Sequence, residues 1–292
     1  MPPIAIALLL ISAALHTTWN LLLKQGGEKY MATWWAMLIG SALFLPVLLV
    51  TGLPARATWV LLLISALAEA AYFIVLSFAY GDADFSLVYP LARGTAPALI
   101  AVWSVLFLHE KLTPHGVLGL VVIVVGLLIV GGSNWLQIEV QPHAGPKPSR
   151  PGWRGILPAL IVALLISIYS VLDGAAVKLT TPFAYAALIY LVSSLYMTPY
   201  IVRRHGWQQL REEFLAHGWR LVGIGALIVT AYFMALLAYR IALVSYAGAI
   251  REVGVVMGAF AGWQFLGEKF GGVRVFGAVV IFAGILVIAF FG

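Results

Sequence analysis

The sequence predicts an all-α, polytopic membrane protein whose ten transmembrane helices form two inverted five-helix repeats. Three observations predict it. The 292 residues are 63% hydrophobic and only 10% charged, whereas a soluble domain carries about 25% charged residues. The apolar residues fall in runs of about 20, the length needed to cross a hydrocarbon core. The rare charges recur in the same order in the two halves. A mean hydropathy of +1.02 leaves too little polar surface to coat a water-soluble globule.

The expected spans are 3–24, 30–51, 58–80, 85–107, 114–132, 154–178, 183–202, 218–241, 245–266 and 272–291. The first twelve residues resemble a signal-peptide core but lack a basic leading region. The apolar run continues to Leu23, so a first membrane helix is expected. Most connections are short, such as "KQGGEK" and "YGDAD", and predict antiparallel hairpins. The segment "GSNWLQIEVQPHAGPKPSRPG" carries four prolines and no apolar periodicity, as a linker would. It divides the chain into a first repeat (1–132), a linker loop (133–152) and a second repeat (153–292). The segment 203–220 can hold a short interfacial helix, with Trp207, Leu210, Phe214 and Leu215 near one face.

The duplication shows in register marks. A shift of 158 aligns Arg93 with Arg251, Glu110-Lys111 with Glu268-Lys269, Gly119 with Gly277 and Gly126 with Gly284. A shift of 160 aligns Trp59 with Trp219 and Tyr72-Phe73 with Tyr232-Phe233; smaller shifts pair Lys24 with Lys178 and Pro46 with Pro199. Because five is odd, the two copies must enter the membrane from opposite sides. That geometry is typical of secondary transporters, with a substrate site near the midplane between the repeats. Basic residues concentrate in the loops opposite the face expected to hold both termini, which places the termini outside the cytoplasm.

The net charge of +6 is small and spread over loops, so no nucleic-acid partner is expected. With no cysteine, disulfides, thiol chemistry and Cys-based metal sites are excluded. HExxH, Walker and GxSxG motifs are missing. No catalytic residue, metal or cofactor is expected. The expected partners are a small-molecule substrate and the lipid bilayer of the inner (plasma) membrane.

The stretches "LHEKLTPHGVLGLVVIVVG" and "LGEKFGGVRVFGAVVIFAG", with "WNLLLK" in the first span, resemble the drug/metabolite transporter superfamily, and most closely its EamA-type exporters. The resemblance covers essentially the whole chain. It implies export of metabolites or amino acids. The aromatic content and membrane charges are similar to the aromatic amino-acid exporter subgroup. His109 departs from the pattern, since Gly267 stands in the matching place of the second half.

Polar groups inside a span are costly and face a cavity or a partner. Glu69 lies in the middle of the third span, with Tyr72 on the same face. It is a candidate to bind an ammonium group or carry a proton. Arg93 and Arg251, the latter beside Glu252, suit bidentate binding of a carboxylate or phosphate. The alternative for each is an internal ion pair. His16 and Asn20 share a face of the first span. Asp173, with Tyr169 and Ser170, is a second coupling candidate, or simply a partner of Lys178. Tyr72, Tyr89, Tyr232 and Tyr239 could line a cavity for a flat or apolar substrate. Gly254, Gly258 and Gly262 share one face and predict close helix packing. The Glu-Lys pairs read as polar turns at the membrane boundary. Amino-acid export is the leading function. A multidrug or cation efflux carrier and a carrier of phosphorylated metabolites are the alternatives.

Overall fold

The computed structural model describes residues 1–24, 28–82, 85–138, 153–266 and 272–292, except for the side chains of 24, 76–91, 131–138, 153–156, 259, 261–263, 265–266 and 274. In chain order the helices are α1 (Pro3–Lys24), α2 (Lys29–Phe44), α3 (Leu48–Thr51), α4 (Trp59–Asp82), α5 (Phe85–Leu108) and α6 (Pro114–Ile138). The second half contributes α7 (Trp153–Leu179), α8 (Pro182–Ile241), α9 (Val244–Arg251), α10 (Val253–Leu266) and α11 (Gly272–Phe291). The loop tips "QGG" and "AD", most of the expected linker and the second Glu-Lys pair lie outside the described residues.

Local chemistry sets the boundaries. α1, α6 and α8 each begin on a proline, whose fixed φ and missing N–H suit the first helical position. The Glu28 carboxylate caps α2, accepting from Tyr30 N and Met31 N at 3.0 and 2.9 Å. The expected second span is not one helix. Pro46 removes a backbone donor, and a 3₁₀ turn at Leu45–Val47 separates α2 from α3. Gly52, at φ 72°, closes α3. α6 runs to Ile138, six residues into the segment expected to be a linker. The ninth expected span also breaks: Glu252 stands between α9 and α10.

α8 has 60 residues. Straight, it would reach about 90 Å, three times the thickness of a hydrocarbon core. It bends instead at Gly206 (φ 72°) and His217 (φ −129°). α2 touches both limbs. Trp34 Nε1 donates to Ser194 O at 3.1 Å, and a Cβ at Gly40 would collide with Gly225 O. The limbs therefore fold back on each other around α2. The segment 207–216 between them is helical; Trp207, Leu215 and the adjoining Trp219 are exposed, while Leu210, expected on the same face as Trp207 and Leu215, is buried. Trp35 Nε1 anchors it by donating to Leu210 O at 2.9 Å.

The two halves interlock. At Gly119 a Cβ would lie 2.9 Å from Gly284 O, and at Gly126 it would lie 3.0 Å from Gly277 O. Residue numbers rise along α6 as they fall along α11, so the two helices run antiparallel. Exchanging each glycine for its repeat equivalent converts one contact into the other. This is the signature of a two-fold relation between inverted copies. The close approach falls here and not along α10, where Gly254 meets Ala13 at an ordinary 3.7 Å and Gly258 has open space. Large apolar side chains such as Leu49, Phe107, Phe276 and Phe290 are exposed on the outer surface, as lipid-facing residues would be. Among the described residues five helices are long and apolar enough to cross a membrane, and three shorter apolar helices accompany them.

Candidate functional site

Two polar clusters bridge helices of the two halves away from the α6–α11 contact. The first joins α1, α5 and the α9–α10 break. Arg93 Nη1 donates to both oxygens of Glu252, at 3.0 and 3.2 Å. Its Nη2 stands 3.3 Å from His16 Nε2. Glu252 is buried, while 18% of the Arg93 side chain is exposed. The His16 ring packs edge-on to Trp19, 4.8 Å away. The α9–α10 break falls on Glu252, whose carboxylate meets Arg93 of α5.

The second cluster lies among α4, α7 and both limbs of α8. The Asp173 carboxylate accepts from the hydroxyls of Ser65, Tyr185 and Tyr232, the Tyr185 bond measuring 2.5 Å. Glu69 accepts from Ser193 Oγ at 2.7 Å. Both carboxyls are buried. Arg251 links the clusters: its guanidinium lies 5.1 Å from the centre of the Tyr232 ring, a cation–π distance. It is within Coulombic range of Glu69 and Asp173.

Most of the residues singled out from the sequence therefore come together: His16, Glu69, Arg93, Asp173, Tyr232, Arg251 and Glu252. Tyr72 stands nearby, edge-on to Tyr169 at 6.1 Å. Tyr239 is fully buried, and its hydroxyl has no hydrogen-bond partner among the described residues. Asn20 is not brought in, since its amide turns back to His16 O at 2.7 Å. The Tyr89 side chain lies outside the described residues. Asp173 does not pair with Lys178, which faces Glu110 at 3.9 Å. The internal Arg93–Glu252 pair, read as an alternative to substrate contact, is formed here.

Sequence reasoning missed Ser65, Tyr185 and Ser193. Ser65 and Glu69 are four apart in an apolar helix. Tyr185 and Ser193 stand eight apart on one face of α8. Both spacings were visible signals of a polar stripe. The Glu110 carboxylate was missed too, because a charge at a helix end reads as solvated.

The long apolar helices and the exposed apolar surface are those of a multi-pass membrane protein. The EamA-like transporter family model matches residues 3–132 and 153–290, and the chain belongs to that family. The matched segments coincide with the two repeats. One solved crystal structure superposes with a TM-score of 0.72 at 16% identity, covering 99% of this chain and 98% of that one. At that identity the likeness is one of fold. No curated protein matches the chain.

Proposed function

We propose that the protein is a secondary carrier that exports amino acids, aromatic ones among them, or related small metabolites by alternating access. Ten spans cross the inner membrane, and both chain ends face away from the cytoplasm. The observation that carries the substrate assignment is a charge count. Three carboxyls, Glu69, Asp173 and Glu252, share the described cluster with two guanidiniums, Arg93 and Arg251. Uncompensated buried charge costs several kcal/mol, so the cluster takes one more positive charge. A proton supplies it in the resting carrier, and a substrate ammonium supplies it in the loaded one.

A zwitterion meets both halves of this arrangement. Its carboxylate takes the Arg93 guanidinium, which Glu252 now meets through Nη1, in the bidentate geometry guanidinium favours. Its ammonium goes to the released Glu252 or to Glu69. Tyr72 and Tyr239 supply the apolar wall, and the Tyr239 hydroxyl supplies a donor. Exchange of proton for ammonium at Glu69 or Asp173 couples transport to a pH gradient. The test is efflux of labelled aromatic amino acids from proteoliposomes, with and without that gradient. Glu69→Gln is expected to retain transport down a substrate gradient and lose the pH dependence. Absence of efflux for every amino acid, with efflux of organic cations dependent on Glu69, overturns the assignment in favour of a cation carrier. The same charge count is what favours that second reading.

A further inference from the structure

The Glu-Lys pair at the end of α5 is not a polar turn. Lys111 is exposed, but Glu110 is buried, with 2% of its side chain accessible. Its two oxygens reach across to the second half of the chain. One accepts from Val244 N at 2.6 Å. The other accepts from Ser245 N at 3.2 Å and Ser245 Oγ at 2.6 Å. These are the first backbone donors of α9, which the helix itself leaves unsatisfied. The residue in the capping position, Leu243, has no side chain able to cap. A carboxylate here answers both the free N–H groups and the positive end of the helix dipole.

The neighbouring contacts close the same face. Tyr246 Oη accepts from Thr113 N at 3.0 Å, and Thr113 Oγ1 donates to Phe291 O at 3.0 Å. The Met1 amino group stands 3.3 Å from Ala289 O and 3.4 Å from Gly292 O. A Cβ at Gly116 would collide with the Tyr246 ring. The turn that aims Glu110 inward is itself unusual. His109 has φ 54°, the one non-glycine residue with positive φ among those described. A strained residue persists only where its surroundings hold it, and such residues cluster at switches and clamps.

α9 is eight residues long, about 12 Å. Glu110 holds its first turn, and Arg251 and Glu252 stand at its last. We propose that Glu110 is a positioning residue of the transport cycle: by capping α9 it latches shut the face carrying both chain ends, and that face opens only when the carboxylate releases α9. Moving α9 then moves Arg251 and Glu252, so opening the face and rearranging the ionic cluster are one event. The inference shares with the proposed function only the premise that the two faces open in turn.

The chain has no cysteine, so one introduced thiol reports without background. Ala247→Cys places it within α9, at a buried position. Sealed vesicles are treated with a membrane-impermeant thiol reagent from each side separately, and a tag at Met1 marks the termini face. Glu110→Gln is expected to speed labelling from the termini face at least tenfold and to leave the opposite face unchanged. An unchanged rate, or an equal rise from both faces as general loosening would give, overturns the proposal. If Glu110→Gln fails to fold, Ser245→Ala decides, since it removes only the hydroxyl bond. It is expected to speed labelling several-fold from the termini face alone, and a wild-type rate overturns the proposal. The labelling needs no substrate. Its failure leaves the substrate assignment standing, and absence of amino-acid efflux leaves the latch standing.

Discussion

Replacing Gly126 by alanine tests how the two repeats are joined. The new Cβ would lie 2.8 Å from Ile281 N and 3.0 Å from Gly277 O. Both are backbone atoms of α11, so no side chain can swing aside, and α6 and α11 must separate. Overpacking of this kind costs about 1–3 kcal/mol, offset by about 1 kcal/mol because alanine is the better helix former. A net loss of about 1 kcal/mol is expected. Gly284→Ala meets Gly119 O at 2.7 Å and Ile123 N at 2.9 Å, and should lose a similar amount as its repeat equivalent. The two together should lose less than the sum, because one separation of the helices relieves both. Gly258→Ala is the control: nothing lies within 4 Å of its Cβ, so it gains up to about 1 kcal/mol from propensity alone. Equilibrium unfolding in mixed detergent micelles, followed by tryptophan fluorescence, separates these values. Gly126→Ala as stable as Gly258→Ala would refute the close antiparallel contact. A loss at Gly126 without one at Gly284 would refute its two-fold character.

Three further predictions follow from the same geometry. Asp173→Asn converts three charge-assisted hydrogen bonds to neutral ones and should cost about 1–3 kcal/mol of stability in the same unfolding assay; a change below about 0.5 kcal/mol contradicts an ionised Asp173. His109→Val should lose about 1–2 kcal/mol, because a branched side chain clashes at φ 54°, while His109→Gly should match or exceed wild type; the difference in sign is read by unfolding of the two variants. Arg93→Lys keeps the charge but loses the planar guanidinium whose Nη1 meets Glu252 and whose Nη2 meets His16, and transport efficiency for an amino acid should fall at least tenfold, about 1.4 kcal/mol. Unaltered efficiency would remove Arg93 from the substrate path.

What the sequence revealed follows from what sequence periodicity can see. The starts of α1, α6 and α8 were legible because each carries a proline at the membrane edge. The repeat was legible because charges are scarce, and chance rarely matches Arg93, Glu110 and Lys111 in order. The breaks were harder. Nothing in "YAGAIREVGVV" marks Glu252 itself as a break, since no glycine or proline falls on it, although Val253, Gly254 and Val255 after it are weak helix formers. Partners on other helices were harder still. Spacing of three and four residues relates side chains along one helix, so it placed Tyr72 beside Glu69 but could not bring Ser193 or Arg251 to it. Glu110 shows the limit most clearly. Its buried role depends on α9 arriving from the opposite half, which no local pattern encodes. His109, noted as a departure from the matching Gly267, gains its meaning from the backbone: that position takes a left-handed φ.

The proposed carrier recognises both charges of a zwitterion through its two polar clusters. Efflux of labelled phenylalanine from proteoliposomes, measured beside its methyl ester and its N-acetyl derivative, tests this most directly. The ester keeps the ammonium and loses the carboxylate; the N-acetyl compound keeps the carboxylate and loses the ammonium. The account predicts efflux of the amino acid and little of either derivative. Efflux of the ester equal to or faster than that of the amino acid would contradict it.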